Sequence, residues 1–250
     1  MLKSYINYRT KNNSLFKCKP DFDIVLALFT LCLMWISYYG VMNISWYKGS
    51  DIVSILLFVI LTNICLAVAF PIWWIKNHKK QPLSELGLTK KYLILSIAIS
   101  LILAFWRGID LIPAMQNLDL SIWLPVMLSS ALIFWEPFFV FGWLQTRYEN
   151  SFGIIPAIFL SALSFILYQI GSAPIEGLEN LFFIYIILAT AFSITRNIFV
   201  LWPIYWCIGS TVNQLTLGMH HDWDEVIVFL VALIIQIGLI YYLLKKTNKI

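Results

Sequence analysis

Apolar residues in this chain are gathered into long blocks, and polar residues are confined to short intervals between them. Eight apolar runs stand out, at about 23–45, 52–75, 92–106, 121–144, 154–170, 179–195, 198–217 and 225–244. A helix crosses a bilayer with roughly 20 mainly apolar residues. The pattern therefore predicts an all-α polytopic membrane protein of about eight transmembrane helices. The third run is short, and reaches Ile109 if Arg107 snorkels to the interface. The seventh is interrupted by Pro203 and Gly209, which a membrane helix tolerates where neighbours satisfy the freed carbonyls.

Charge alternates with these runs. With the N-terminus in the cytoplasm, the inner segments carry Lys3, Arg9, Lys11, Lys17 and Lys19, then Lys76, Lys79, Lys80, Lys90 and Lys91, then Arg147, then Arg196, then Lys245, Lys246 and Lys249. That is 15 of the 17 basic residues; the outer loops keep Lys48 and Arg107, beside Asp51, Asp110, Asp119, Glu176, Glu179, Asp222, Asp224 and Glu225. Because Lys and Arg favour cytoplasmic loops, both termini are expected in the cytoplasm of a multi-pass cell-membrane protein. Residues 1–22 read as a basic cytoplasmic tail that orients the first helix and touches anionic lipid. The first run ends in Val41-Met-Asn-Ile-Ser-Trp46 without a small-x-small cleavage pattern, so it is expected to stay as an anchor. No internal repeat or low-complexity tract divides the chain, and residues 1–250 read as a single membrane domain.

Composition narrows the class further. Sixty per cent of residues are hydrophobic and 12% charged, with a mean hydropathy of +0.82, a profile that excludes an ordinary water-soluble domain. The net charge of +4 belongs to membrane-flanking segments, so no nucleic-acid partner is implied. Trp73, Trp74, Trp106, Tyr148, Tyr241 and Tyr242 recur near run ends, as do Trp46 and Tyr47, in the manner of interfacial belts. Cys18, Cys32, Cys65 and Cys207 form no spaced pairs. They predict neither a disulfide nor a cysteine-based zinc site, and the three in apolar runs read as small buried hydrophobes.

One acid stands inside the fourth run, Glu136, in Ala131-Leu-Ile-Phe-Trp-Glu136-Pro-Phe-Phe-Val. A carboxylate in hydrocarbon is costly or takes up a proton, which makes an intramembrane acid a functional candidate. With no cation or base beside it in sequence, Glu136 is expected to be neutral and hydrogen-bonded.

The residues that follow carry a resemblance. The chain reads Glu136-Pro137-Phe-Phe-Val-Phe141-Gly142-Trp-Leu-Gln-Thr-Arg147, then Gly153-Ile-Ile-Pro156-Ala, then Phe165-Ile-Leu-Tyr-Gln169, and later Asn197-Ile-Phe-Val-Leu-Trp-Pro203-Ile-Tyr-Trp206-Cys-Ile-Gly-Ser210. This resembles the CPBP intramembrane proteases, the CAAX-protease and bacteriocin-processing family also called Abi. Their pattern runs Glu-Glu-x-x-x-Arg-Gly-x-Leu, a short basic turn ending in Gly and Pro-Ala, Phe-x-x-x-His, and a block close to Ser-Leu-x-x-Pro-Ile-x-x-His-x-x-x-Asn. Pro82-Leu-Ser-Glu-Leu-Gly-Leu88 is similar to the loop before the family's core. The resemblance covers about residues 82–215 and implies a CPBP-like core in spans four to seven.

In that family a Glu and a His activate water, while a second His and an Asn hold the reacting carbonyl or a metal. In register, Glu136 retains the first Glu. The second Glu is Pro137, the Arg is Phe141, the first His is Gln169, the second His is Trp206 and the Asn is Ser210. Glutamine cannot accept and release a proton near neutral pH, and amide or indole groups are poor zinc ligands. The resemblance with these departures implies a degenerate, non-proteolytic site without a cofactor; zinc belongs only to an active-protease alternative.

Other candidates have plainer readings. His78 sits among Lys76, Lys79 and Lys80 in a basic loop suited to lipid headgroups. His220-His221-Asp222-Trp-Asp224-Glu225 has the look of a metal or partner site, yet it lies in an expected outer loop, remote from Glu136 on the cytoplasmic half of its span. Asn213 and Gln214 are expected to hydrogen-bond between helices, and Asn213 replaces the missing motif Asn only if the register slips by three residues. Ser161, Ser164 and Ser172 mark close helix packing better than a serine nucleophile, since no base accompanies them.

The leading expectation is a bacterial, CPBP-family pseudoprotease that binds or scaffolds another membrane protein or a membrane-attached substrate. The resemblance implies roles in the cell envelope, in surface-protein display or in bacteriocin immunity. The alternatives are an active intramembrane endopeptidase using Glu136, and a channel or transporter with Glu136, Gln169 and Asn213 along a polar path.

Overall fold

The structure is a computed structural model that describes residues 14–43, 53, 55–116, 118–170 and 178–247. Lys3, Arg9, Lys11, Trp46, Tyr47, Lys48, Asp51, Ser172, Glu176 and Lys249, which entered the topology and candidate-site expectations, lie outside the described residues.

The regular elements among the described residues are helices. They are α1 (Phe22–Asn43), α2 (Ile55–His78), α3 (Leu93–Met115), α4 (Leu120–Leu132), α5 (Trp135–Phe152), α6 (Ile154–Gln169), α7 (Leu178–Thr195), α8 (Ile204–Thr216) and α9 (Trp223–Thr247). Short 3₁₀ turns at Leu83–Leu86 and Ile198–Val200 sit in the connections. Three stretches among the described residues, Ile55–Ala69 and Trp74–His78 of α2 and Phe138–Gln145 of α5, are wound wide with i→i+5 hydrogen bonds, a form frequent at functional sites.

The molecule is a polytopic helical membrane protein. Helices α1, α2, α3, α7 and α9 are long and apolar enough to cross a membrane, and the bent pair α4–α5 makes a sixth. The two remaining runs form shorter helices among the described residues. Helix α6 has 16 residues and α8 has 13. At about 1.5 Å per residue neither alone covers a hydrocarbon core of about 30 Å.

Three further boundaries differ from expectation, each for a visible reason. The third helix runs on to Met115 because Arg107 does not leave it. Arg107 is buried and paired with Asp110 at 2.7 Å one turn on. The fourth run is broken at Ile133–Phe134 and bends by 40°. Proline lacks an N–H and its ring clashes with the carbonyl four residues back. Four residues before Pro137 is Ile133, whose ψ of 88° is not helical. The seventh run becomes a helix only after Pro203, so the proline starts α8 instead of kinking it. Cys32 and Cys65 are exposed on the apolar exterior, not buried.

The segments expected on the inner side do meet at one end of the molecule. Lys17 N–H and Lys19 N–H donate to the carbonyls of Phe152 and Ser151 at 2.8 and 2.9 Å. Arg147 and Lys79 both pair with Asp23, at 3.1 and 2.9 Å. Trp74 Nε1 adds a third bond to that carboxylate at 3.1 Å. Glu149 takes Arg196 and, at 2.8 Å, the hydroxyl of Ser193. Arg147 and Arg196 are thus partners of the buried acids Asp23 and Glu149, not solvated loop charges. Arg107, Asp110, Asn213, His221 and Glu225 gather at the opposite end.

The loop after α2 positions the centre from the basic end. Gly87, at φ +78°, accepts Ile198 N–H at 3.0 Å, and Leu86 lies against Gly142 of α5. A Cβ on Gly142 would stand 2.8 Å from Leu86 O. The core between is aromatic: Phe138, Phe139, Phe141, Trp143, Tyr168, Phe192 and Trp206 are all buried. Apolar side chains also cover the outside, with Ile94 86% and Phe105 77% exposed, as a lipid-facing surface requires.

Candidate functional site

The break at Ile133–Phe134 sets Trp135 and Glu136 on the first turn of α5, packed against α2 and beside Tyr38 of α1, Tyr168 of α6 and Trp206 of α8. Tyr168 and Gln169 form the last turn of α6 and meet Glu136 from one side. The Tyr168 hydroxyl donates to Glu136 Oε1, and the Gln169 amide donates to the same oxygen at 3.2 Å. Trp206 of α8 stands beside the carboxyl, but its Nε1 reaches no acceptor with hydrogen-bond geometry. Among the described residues, Glu136 Oε2 accepts no hydrogen bond and no Lys, Arg or His lies within ion-pair distance.

A cavity of about 180 Å³ opens in front of this carboxyl. Glu136, Gln169, Trp206, Ser210 and Asn213 all line it. Phe141 lies one layer behind, its ring edge-on to Trp206 at 6.4 Å and stacked on Tyr185 at 5.8 Å. Pro137 is buried next to Glu136 and lines no part of the space. Asn213 carries a bond between helices, accepting Arg107 Nη2 at 2.7 Å. Gln214 bonds Ser210 at 3.1 Å and His221 at 2.9 Å.

His221 departs most from expectation. It lines the same cavity as Glu136. Glu136 lies with Tyr168 and near Tyr38, whose ring packs on Trp135 and Tyr168. His221, in the α8–α9 connection, is held between Gln214 and Glu225. Elsewhere the plain readings apply. His78 is exposed and stacks on Trp74 at 4.0 Å. The Ser161 hydroxyl donates to Ala157 O at 2.6 Å, and Ser164 pairs with the Tyr148 hydroxyl at 2.7 Å.

Reasoning from sequence missed the residues that complete this site: Tyr168, Trp135, Tyr38, Tyr185 and Tyr205. Their one signal was the adjacency of Tyr168 to Gln169. It missed the Asp23–Arg147 pair as well, whose members lie 124 positions apart. No protein-family model, curated protein or solved structure matches the chain.

Proposed function

We propose that this protein is a CPBP-like membrane protein of the pseudoprotease type, which binds a membrane partner in the cavity in front of Glu136 without cleaving it. The observation that carries the reading is the way Glu136 is held. Its partners, the Tyr168 hydroxyl and the Gln169 amide, are donors that brace a carboxyl, whereas water activation needs a base that accepts a proton and gives it up again near neutral pH. Two of the motif positions facing the space are Trp206 and Ser210, which supply shape and a hydroxyl. The ligand set does not fit zinc. The cavity offers one carboxylate and one imidazole, fewer than the three protein ligands of a catalytic zinc, and that imidazole is already bonded to Gln214 and Glu225.

The basic residues at one end support an orientation with that end, and both termini, in the cytoplasm of a bacterial cell. Eight membrane-embedded segments then alternate in direction, α6 and α8 among them as short ones. A photo-crosslinking residue at Ser210, with one at lipid-facing Ile94 as control, tests the binding role in native membranes. The expected result is a discrete adduct from Ser210 only, with the captured partner at its intact mass. A cleaved partner whose appearance is abolished by Glu136→Ala would overturn the reading.

A second reading has one observation in its favour, the presence of His221 on the cavity that Glu136 lines. It makes the protein an intramembrane endopeptidase with Glu136 and His221 acting across the space. Peptide cleavage lost in both Glu136→Ala and His221→Ala would establish it.

A further inference from the structure

We infer that the cavity in front of Glu136 is a site for a small organic ammonium group with an oxygen acceptor close by, the chemistry of ethanolamine and of its phospholipid headgroup. The inference rests on the binding reading above and names what enters the space. Four independent features of the molecule converge on this chemistry.

The floor is a buried carboxyl group with no cation within ion-pair distance among the described residues. Glu136 is 8% exposed and lines the cavity; its Oε1 is occupied by Tyr168 and Gln169, and among the described residues its Oε2 accepts no hydrogen bond. A buried carboxylate is stabilised only when a cation or hydrogen bonds replace its water. An ammonium group entering the space supplies both.

The walls are aromatic. Tyr38, Phe58, Phe165, Tyr185, Tyr205 and Trp206 line the cavity, and ring faces attract cations, more strongly once these are desolvated. Among the described residues the walls contribute no lysine or arginine. Arg107, which bonds the lining residue Asn213, has its charge taken up by Asp110.

The walls also hold two stranded donors. The indole nitrogens of Trp135 and Trp206 are buried, at 3% and 2% residue exposure, and neither has an acceptor. Both residues line the cavity. A buried donor left unmade costs about 1–3 kcal/mol, so a ligand oxygen next to the ammonium has a ready place.

Acidic groups stand next to one wall. Asp222, Asp224 and Glu225 are exposed and adjacent in sequence to His221, which lines the cavity. Charge of one sign at the rim of a low-dielectric cleft raises the local concentration of the opposite ion. The space equals about six water molecules at ~30 Å³ each, enough for ethanolamine or for a headgroup entering end-on.

Isothermal titration of ethanolamine hydrochloride into the full chain in detergent tests this, with ethylene glycol as the neutral analogue. The expected result is saturable binding of ethanolamine only, weakened at least tenfold by Glu136→Gln and several-fold by Trp135→Phe, with melting curves showing both variants folded. Repeating the titration in phosphatidylcholine nanodiscs with and without phosphatidylethanolamine identifies the source. Suppression by the lipid means that the headgroup is the natural occupant, and an unchanged titration means a soluble amine. Equal heats from ethylene glycol, no saturation with folded protein, or undiminished binding in Glu136→Gln would overturn the inference. If ethanolamine fails while the Ser210 adduct persists, the ligand chemistry is wrong and the binding role stands. Glu136-dependent cleavage ends the binding role whatever ethanolamine does.

Discussion

Tyr168 and Glu136 form the central polar contact of the molecule: a fully buried phenol donates to a carboxyl oxygen that also takes the Gln169 amide. Each group is the other's escape from an unsatisfied burial. Glu136→Leu therefore strands the Tyr168 hydroxyl and is expected to cost about 1–3 kcal/mol. Tyr168→Phe in the same chain should recover part of that loss, giving a coupling of about 0.5–3 kcal/mol. Melting of the four proteins in detergent measures it. Strict additivity would mean that the contact contributes nothing.

The Asp23 carboxylate joins three elements, through Arg147, Lys79 and Trp74. Arg147 is 1% exposed in its side chain, so removing its partner leaves a buried charge uncompensated. Asp23→Ala is expected to cost about 3–5 kcal/mol, and Asp23→Ala with Arg147→Met much less, since an apolar replacement of the whole pair is often neutral. Thermal melts of the single and double variants distinguish this from a surface pair, for which both would be near wild type.

Gly142 permits the loop ending at Leu86 to lie against α5. Gly142→Ala places a methyl 2.8 Å from Leu86 O and 3.3 Å from the Phe138 ring. Overpacking of this kind costs about 1–3 kcal/mol, read as a lower melting temperature. Because Phe138 is two residues from Glu136 on α5, ethanolamine affinity should fall with it.

The two ends of the molecule should label from opposite sides. In a chain whose four cysteines are replaced by serine, Asp222→Cys is expected to react with an impermeant maleimide on intact cells, and Lys80→Cys only after permeabilisation. Labelling of both from one side would remove the proposed orientation.

The apolar blocks announced the helices well, because a helix in hydrocarbon must be continuous in both backbone bonding and apolarity. Lengths were less legible. Arg107 looked like an end because a lone cation in the sequence gives no sign of the Asp110 and Asn213 groups that hold it within α3. Pro137 was read as a motif substitution, and its physical effect, breaking the helix at Ile133, was not drawn. Trp135 and Glu136 follow directly on that break, Trp135 packed on Tyr38, and both line the cavity together with His221. The positions in motif register, Gln169, Trp206 and Ser210, could be located in sequence. The aromatic box could not, since its rings come from helices far apart in the chain and aromatic residues are common in every run.

The Asp23–Arg147 pair also sets an order of assembly. Asp23 leaves the ribosome 124 residues before Arg147, which at 5–20 residues per second is a delay of about 6–25 s. Throughout it, the start of α1 carries an acid whose final partner does not yet exist. Lys79 and Trp74 can hold Asp23 first, and α5 completes the set, so a chain arrested before Arg147 should leave α1 less firmly held and more open to membrane proteases.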